Sequence, residues 1–180
     1  GSEDARADAG GRVVCGRRRR ATGNGVRTGG GSGGREARVL ARRLHGSVVD
    51  IQTKAATAFH HVASVDAPCR AALVAANGVD ALVMAARAHP NVAGVLERCC
   101  SALAAIAAGE QACREVCVAD GAVGCAVDAM RAYPRRGSLQ QSGGRFLEKI
   151  AAGDEACRLA CVDAGGTEAS CEAMAEHAAV

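Results

Sequence analysis

Apolar residues recur along most of the chain at spacings of three and four, the period that gathers them on one face of an α-helix. Three stretches share one register: "SVVDIQTKAATAFHHVASVD" (47–66), "NVAGVLERCCSALAAIAAGE" (91–110) and "RRGSLQQSGGRFLEKIAAGD" (135–154). Phe59, Leu103 and Leu147 match, then Val62, Ile106 and Ile150, then Ala63, Ala107 and Ala151, each 44 residues from the last. Each stretch predicts a long helix with these residues facing a core. Asp66, Glu110 and Asp154 close the three stretches. They are expected to cap the next helix, where a carboxylate meets the positive end of the macrodipole, and not to act as catalytic acids.

The intervening sequence repeats too. Cys69, Cys113 and Cys157 stand 44 residues apart, each followed by Arg, and open a short apolar run. A second run, "ALVMAARAHP" (81–90), pairs with "CAVDAMRAYP" (125–134). Gly78, Gly121 and Gly165 or Gly166 are expected to break the chain before this second helix, and Pro90 and Pro134 to stop it. Each unit is therefore a short helix, a turn, a second helix, a proline stop and a longer third helix. Self-similarity at this period marks a stacked repeat protein.

The order helix–Gly–helix–Pro–helix, with "ANG" or "ADG" closing the first helix and "LAAIAAG" or "FLEKIAAG" closing the third, resembles the armadillo repeat. The resemblance covers residues 35–180. It implies an all-α fold, a right-handed α-solenoid of armadillo-like three-helix repeats, here preceded by a disordered Gly/Arg-rich arm over residues 1–34. Within 35–180 the phase gives a partial repeat at 35–64, repeats at 66–108 and 110–152, and a partial repeat at 154–180. Residues 35–46 match a second helix and 47–64 a third. Both ends fall inside a repeat, with nothing like the polar terminal caps that solenoids use for solubility.

Composition agrees with close helix packing: hydrophobic residues make up 49% of the chain and aromatics only 2%, so Ala, Val, Leu and Cys must fill the core. The net charge of +3 is unevenly spread. Residues 1–35 hold eight Arg against three acids, which leaves the repeat body slightly negative. The arm's "RRRR", Arg17, Arg18, Arg19 and Arg20, is able to attract nucleic acid or an anionic surface by charge alone. No run reaches the ~18 apolar residues of a membrane span. The ten cysteines lie mostly in apolar helical words, which favours reduced, buried thiols and a reducing intracellular compartment over a disulfide framework.

Candidate chemistry is sparse. Cys113/Cys117 and Cys157/Cys161 are i, i+4 pairs, but stacked helices stand ~8–10 Å apart, too far for the pairs to share one ion, and Leu73 fills the equivalent position one unit earlier. His60-His61 and Cys99-Cys100 are adjacent residues that point about 100° apart on a helix; His60, in register with Ala104 and Glu148, is expected at a solvated position. No catalytic residue, metal site or cofactor is expected.

What the resemblance implies instead is peptide binding along the third helices. Its importin-alpha branch carries a Trp and, four residues later, an Asn in each. Here those positions read Thr57, Ser101 and Arg145, then His61, Ala105 and Lys149, so neither ladder is present. The expected groove is lined by Lys54, Thr57, His61, Arg98, Ser101, Arg145 and Lys149. A non-catalytic scaffold or adaptor is the expected function, with a protein partner, either an acidic or phosphorylated segment or a larger complex covering the ends. Nucleic-acid or anionic-surface binding through the arm is the alternative.

Overall fold

The computed structural model describes residues 33–178, with side chains from residue 48 onward. Nine helices are present among the described residues, and no strand. Helix α1 spans Gly33–Ala63. One unit follows as α2 (Ala67–Ala75), α3 (Gly78–Ala88) and α4 (Ala93–Ala107), and a second as α5 (Gln111–Ala119), α6 (Ala122–Ala132) and α7 (Gly137–Ala151). Helices α8 (Glu155–Asp163) and α9 (Gly166–Glu176) repeat the first two of a unit. Every boundary from α2 onward recurs after 44 residues, as the sequence period requires. The third helices lie side by side, α4 between α1 and α7, and these are the most extensive helix pairings. Beside them α2, α5 and α8 form one column and α3, α6 and α9 another. The fold is an armadillo-like α-solenoid.

Residues 1–32, and with them nearly all of the expected arm, lie outside the described residues. A correction falls on α1, whose first half does not fold back as a separate second helix. Gly46 stands where Pro90 and Pro134 stop α3 and α6. A helix-interior Gly costs ~1 kcal/mol and a Pro ~3 kcal/mol, so the helix runs on through Gly46, where the next two units have proline.

The turn between first and second helices differs in detail from expectation. The left-handed residues are Asn77 (φ 56°), Gly121 (φ 74°) and Gly165 (φ 75°), again 44 apart. Gly78 is the first residue of α3 and not the breaker. Asn tolerates this conformation because its short polar side chain bonds locally, a reading that glycine spacing alone missed.

Two of the three expected carboxylate caps form. Asp66 accepts a hydrogen bond from the Cys69 backbone N–H at 2.8 Å, and Asp154 one from Cys157 at 2.9 Å. Glu110, one methylene longer, makes no such bond. The bonds from Cys69 and Cys157 hold both aspartates below the usual carboxylate range.

The core is built from the periodic positions. Val95 and Leu139, Ala102 and Phe146, Ile106 and Ile150 are fully buried. Met130 lies over Gly143 so closely that a Cβ there would sit 2.6 Å from the Met130 Sδ. Gln140 is buried too, its Nε2 donating to the carbonyls of Met130 (2.7 Å) and Tyr133 (2.9 Å) at the end of α6. Val62 departs from its counterparts: it is 42% exposed, because among the described residues no helix packs in front of α1 as α1 packs in front of α4.

Leu103→Ala should cost ~2–5 kcal/mol in denaturant unfolding, since Leu103 is buried between stacked neighbours, whereas Met174→Ala, with Met174 71% exposed, should cost far less. Similar losses at both would contradict stacking as the source of stability. Glu110→Asp should complete the third cap and raise the melting temperature at neutral pH. A cap whose folded pKa is depressed contributes above the unfolded value of about 3.9 and loses its contribution as pH falls below it, so the gain should vanish in acid.

Candidate functional site

Helices α1, α4 and α7 present three rows of residues, each 44 apart: Lys54, Arg98 and Ser142; Thr57, Ser101 and Arg145; His61, Ala105 and Lys149. Spacings of three and four set the rows on one face of each helix. Lys54, His61, Arg98 and Arg145 are exposed, while Thr57, Ser101 and Lys149 are half-buried. Neither Lys54 nor Arg98 forms an ion pair with another described residue.

The half-buried members are engaged. Thr57 donates its hydroxyl to the Thr53 carbonyl at 2.8 Å. His60 Nδ1 lies 3.1 Å from the Ser101 carbonyl and 3.3 Å from its hydroxyl, so His60 bridges α1 to α4. That corrects its expected solvated position. The reason is local: its counterpart Ala104 is buried, and an imidazole in that place reaches across the seam to Ser101. Lys149 donates from Nζ to Glu148 at 2.8 Å, and this bond, with Arg145 nearby, holds the Glu148 carboxyl below its ordinary range.

Two acidic residues escaped the sequence reading. Glu97 accepts from the Ser138 hydroxyl at 2.7 Å and pairs with Arg136 at 3.4 Å, tying α4 to α7. Glu148 neutralises part of the charge of Lys149. Both sit next to a groove cation in sequence, and only the helix rotation tells which of two neighbours faces the groove. The strip is thus cationic at Lys54, Arg98 and Arg145 and nearly balanced beyond. Arg17, Arg18, Arg19 and Arg20 lie outside the described residues.

The described cysteines are free thiols. Cys99, Cys100, Cys113, Cys117, Cys157 and Cys161 are buried and Cys171 is exposed. Burial pushes Cys99 and Cys117 up to about 12 and raises Cys100, Cys125 and Cys161 as well. Leu73 is buried at the position that Cys117 and Cys161 occupy. Among the described residues no group of three or more His, Cys, Asp and Glu is arranged to hold a metal ion. A cleft of about 330 Å³ opens between α3 and α6, with Leu96 and Ala129 in its floor and Arg87 and Asp128 among its lining residues. No single described helix is long and apolar enough to cross a membrane.

Similarity to known proteins supports the fold. An engineered protein solved by a structural-genomics consortium matches with a TM-score of 0.62 and 30% identity over 67% of this chain. A second engineered protein from the same consortium gives a TM-score of 0.61 and 24% identity over 68% of this chain. A designed armadillo repeat protein gives a TM-score of 0.59 and 18% identity over 72%. The chain spans 47%, 52% and 61% of those proteins' lengths. No protein-family model and no curated protein sequence matches it.

The raised thiols give a direct check. Brief alkylation at pH 8 of the native protein, read by mass spectrometry, should label Cys171 first among the described cysteines and leave Cys99, Cys100 and Cys117 unmodified until denaturant is added. Because their folded pKa values lie above the unfolded value of about 8.5, the unfolded state sheds protons first as pH rises. Stability should therefore decline between about pH 9 and 12, and Cys117→Val should flatten that decline.

Proposed function

We infer that the chain is a non-catalytic protein-binding scaffold or adaptor whose third helices receive an acidic or phosphorylated segment. The observation that carries this reading is the set of exposed cations Lys54, Arg98 and Arg145 on three adjacent helices of an armadillo-like solenoid. Designed and engineered repeat proteins share the fold, and protein binding suits it. Clustered cations raise the local potential and draw in an anionic chain, while each exposed pair contributes only ~0–1 kcal/mol. Affinity should consequently be spread over several residues. The groove offers no aromatic platform, so backbone and charge must supply recognition.

Binding of nucleic acid or an anionic surface through the arm is the second reading, favoured by the four consecutive arginines at 17–20. The two differ in where affinity resides: removing residues 1–32 should spare the first and abolish the second.

Arg98→Glu combined with Arg145→Glu should weaken binding of a phosphoserine-rich acidic peptide about tenfold at low salt, the sum of two modest pairs, and by a smaller factor at high salt. Fluorescence anisotropy measures both. Equal affinity of parent and double variant at low salt would remove the groove from consideration.

A further inference from the structure

The entry to α7 departs from the entry to α4. Where "NVAG" (91–94) leads into α4, "RRGS" (135–138) leads into α7. Pro134, Arg135, Arg136, Gly137 and Ser138 are all exposed, and Leu139 is the first buried residue after them. A departure on α4 meets this one. Glu97 stands where α7 has Gln141, and it holds the new residues: the Ser138 hydroxyl donates to its Oε2 at 2.7 Å, and Arg136 pairs with the same oxygen at 3.4 Å. Arg135 pairs with Glu176 at 2.9 Å. Exposed pairs of this kind are weak, so they yield readily to a competing anion.

Ser138 also lies on the groove face. Ser138, Ser142, Arg145 and Lys149 follow one another along α7 at spacings of four, three and four, which sets them in one line. Ser138 is thus one turn outside the row of Lys54, Arg98 and Ser142. Among the described serines it alone has arginine both two and three residues before it. Ser101 has Arg98 three residues before it, but it is half-buried with its hydroxyl 3.3 Å from His60. Paired cations ahead of an exposed hydroxyl are a charge pattern by which a kinase with an acidic substrate cleft selects its serine.

We propose that Ser138 is a phosphorylation site through which an arginine-directed serine kinase weakens the groove's hold on its acidic partner. The step moves the γ-phosphoryl group of ATP to the Ser138 Oγ: that O–P bond forms, the bond to the β-phosphate oxygen breaks, ADP leaves, and the hydroxyl proton passes to the kinase's base. The product carries close to two negative charges beside the Glu97 carboxylate, which loses the hydroxyl proton it accepts now. Arg135 and Arg136 offer the phosphate charge-assisted bonds, and as Arg136 turns to it, Glu97 is left unpaired next to Arg98. The added charge stands beside a strip whose exposed cations are Lys54, Arg98 and Arg145. This regulation rests on the reading of that strip as an anion-binding groove: the surface that draws in a phosphorylated segment then faces a phosphate of its own.

Incubating the folded full chain with magnesium, ATP and the catalytic subunit of cyclic-AMP-dependent protein kinase, an arginine-directed enzyme, should place a phosphate on Ser138, read by mass spectrometry. A peptide of residues 131–143 serves as the control for kinase activity. Thr22 also follows two arginines, so binding is measured in a Thr22→Ala background. The modified chain should bind the phosphoserine-rich acidic peptide about threefold more weakly at low salt, since it gains about half the charge change of Arg98→Glu with Arg145→Glu, and the difference should shrink at high salt. Ser138→Ala should keep the parent affinity after kinase treatment, while Ser142→Ala should lose affinity as the parent does. A Ser138 left unmodified on the folded chain while the peptide is modified overturns the site. Full modification without loss of affinity, in a chain that does respond to reversal of Arg98 and Arg145, overturns the regulatory role and spares the groove. Affinity that responds to neither change overturns the groove reading, and the regulation falls with it.

Discussion

Side-by-side packing of the third helices is the interaction on which the rest of the structure depends. Helix α4 has a neighbour on each flank and buries ten residues, α7 has one and buries six, and the described side chains of α1 bury only Ala56 and Ala63. Burial is greatest in the helix with a third helix on each flank, as expected where stability is a sum over adjacent units. The short helices hold the third helices in register: Arg114 reaches from α5 to the Lys149 carbonyl at 3.1 Å, and Tyr133 donates back to the Pro90 carbonyl at 3.3 Å. His177, 44 residues after Tyr133, lies 3.1 Å from the carbonyl of Pro134.

This dependence explains what the sequence revealed. The period fixed both the element order and the element ends, because every unit must present the same face to the next and cannot slip by a residue without turning Ile106 or Ile150 into water. It did not reveal features in which a unit departs from its neighbours. Asn77 does the work of a glycine, Gly46 replaces a proline and so removes a turn, and His60 replaces a buried alanine and bridges a seam. In each case one residue changes type within an intact pattern, and the consequence depends on what stands opposite. The groove was legible in outline for the same reason: Lys54, Arg98 and Arg145 follow from the rows, whereas the compensating Glu97 and Glu148 needed the rotation of each helix.

A core with so few aromatics holds together by closeness. Alanine, cysteine and glycine at the helix contacts let backbones approach, and where one side chain is large its partner is small, as with Met130 over Gly143. Cysteine suits this role as a small hydrophobe, and the price is chemical: thiols so buried hold their protons. The cysteine words that first suggest a metal or redox site are therefore accounted for by packing, with Leu73 in the same place as the internal comparison.

Deviation from the period is then the most informative signal in the chain. A stacking position that stays apolar while exposed, as at Ile51 and Val62, retains the chemistry of an interface. One that turns polar, as from Ala104 to Glu148 or from Val123 to Thr167, gives it up. Burying an unpaired carboxylate is costly, and Lys149 and Arg145 keep Glu148 charged. On α1 the described positions Ile51, Ala55, Ala58 and Val62 keep the residue types that α4 and α7 bury against their neighbours.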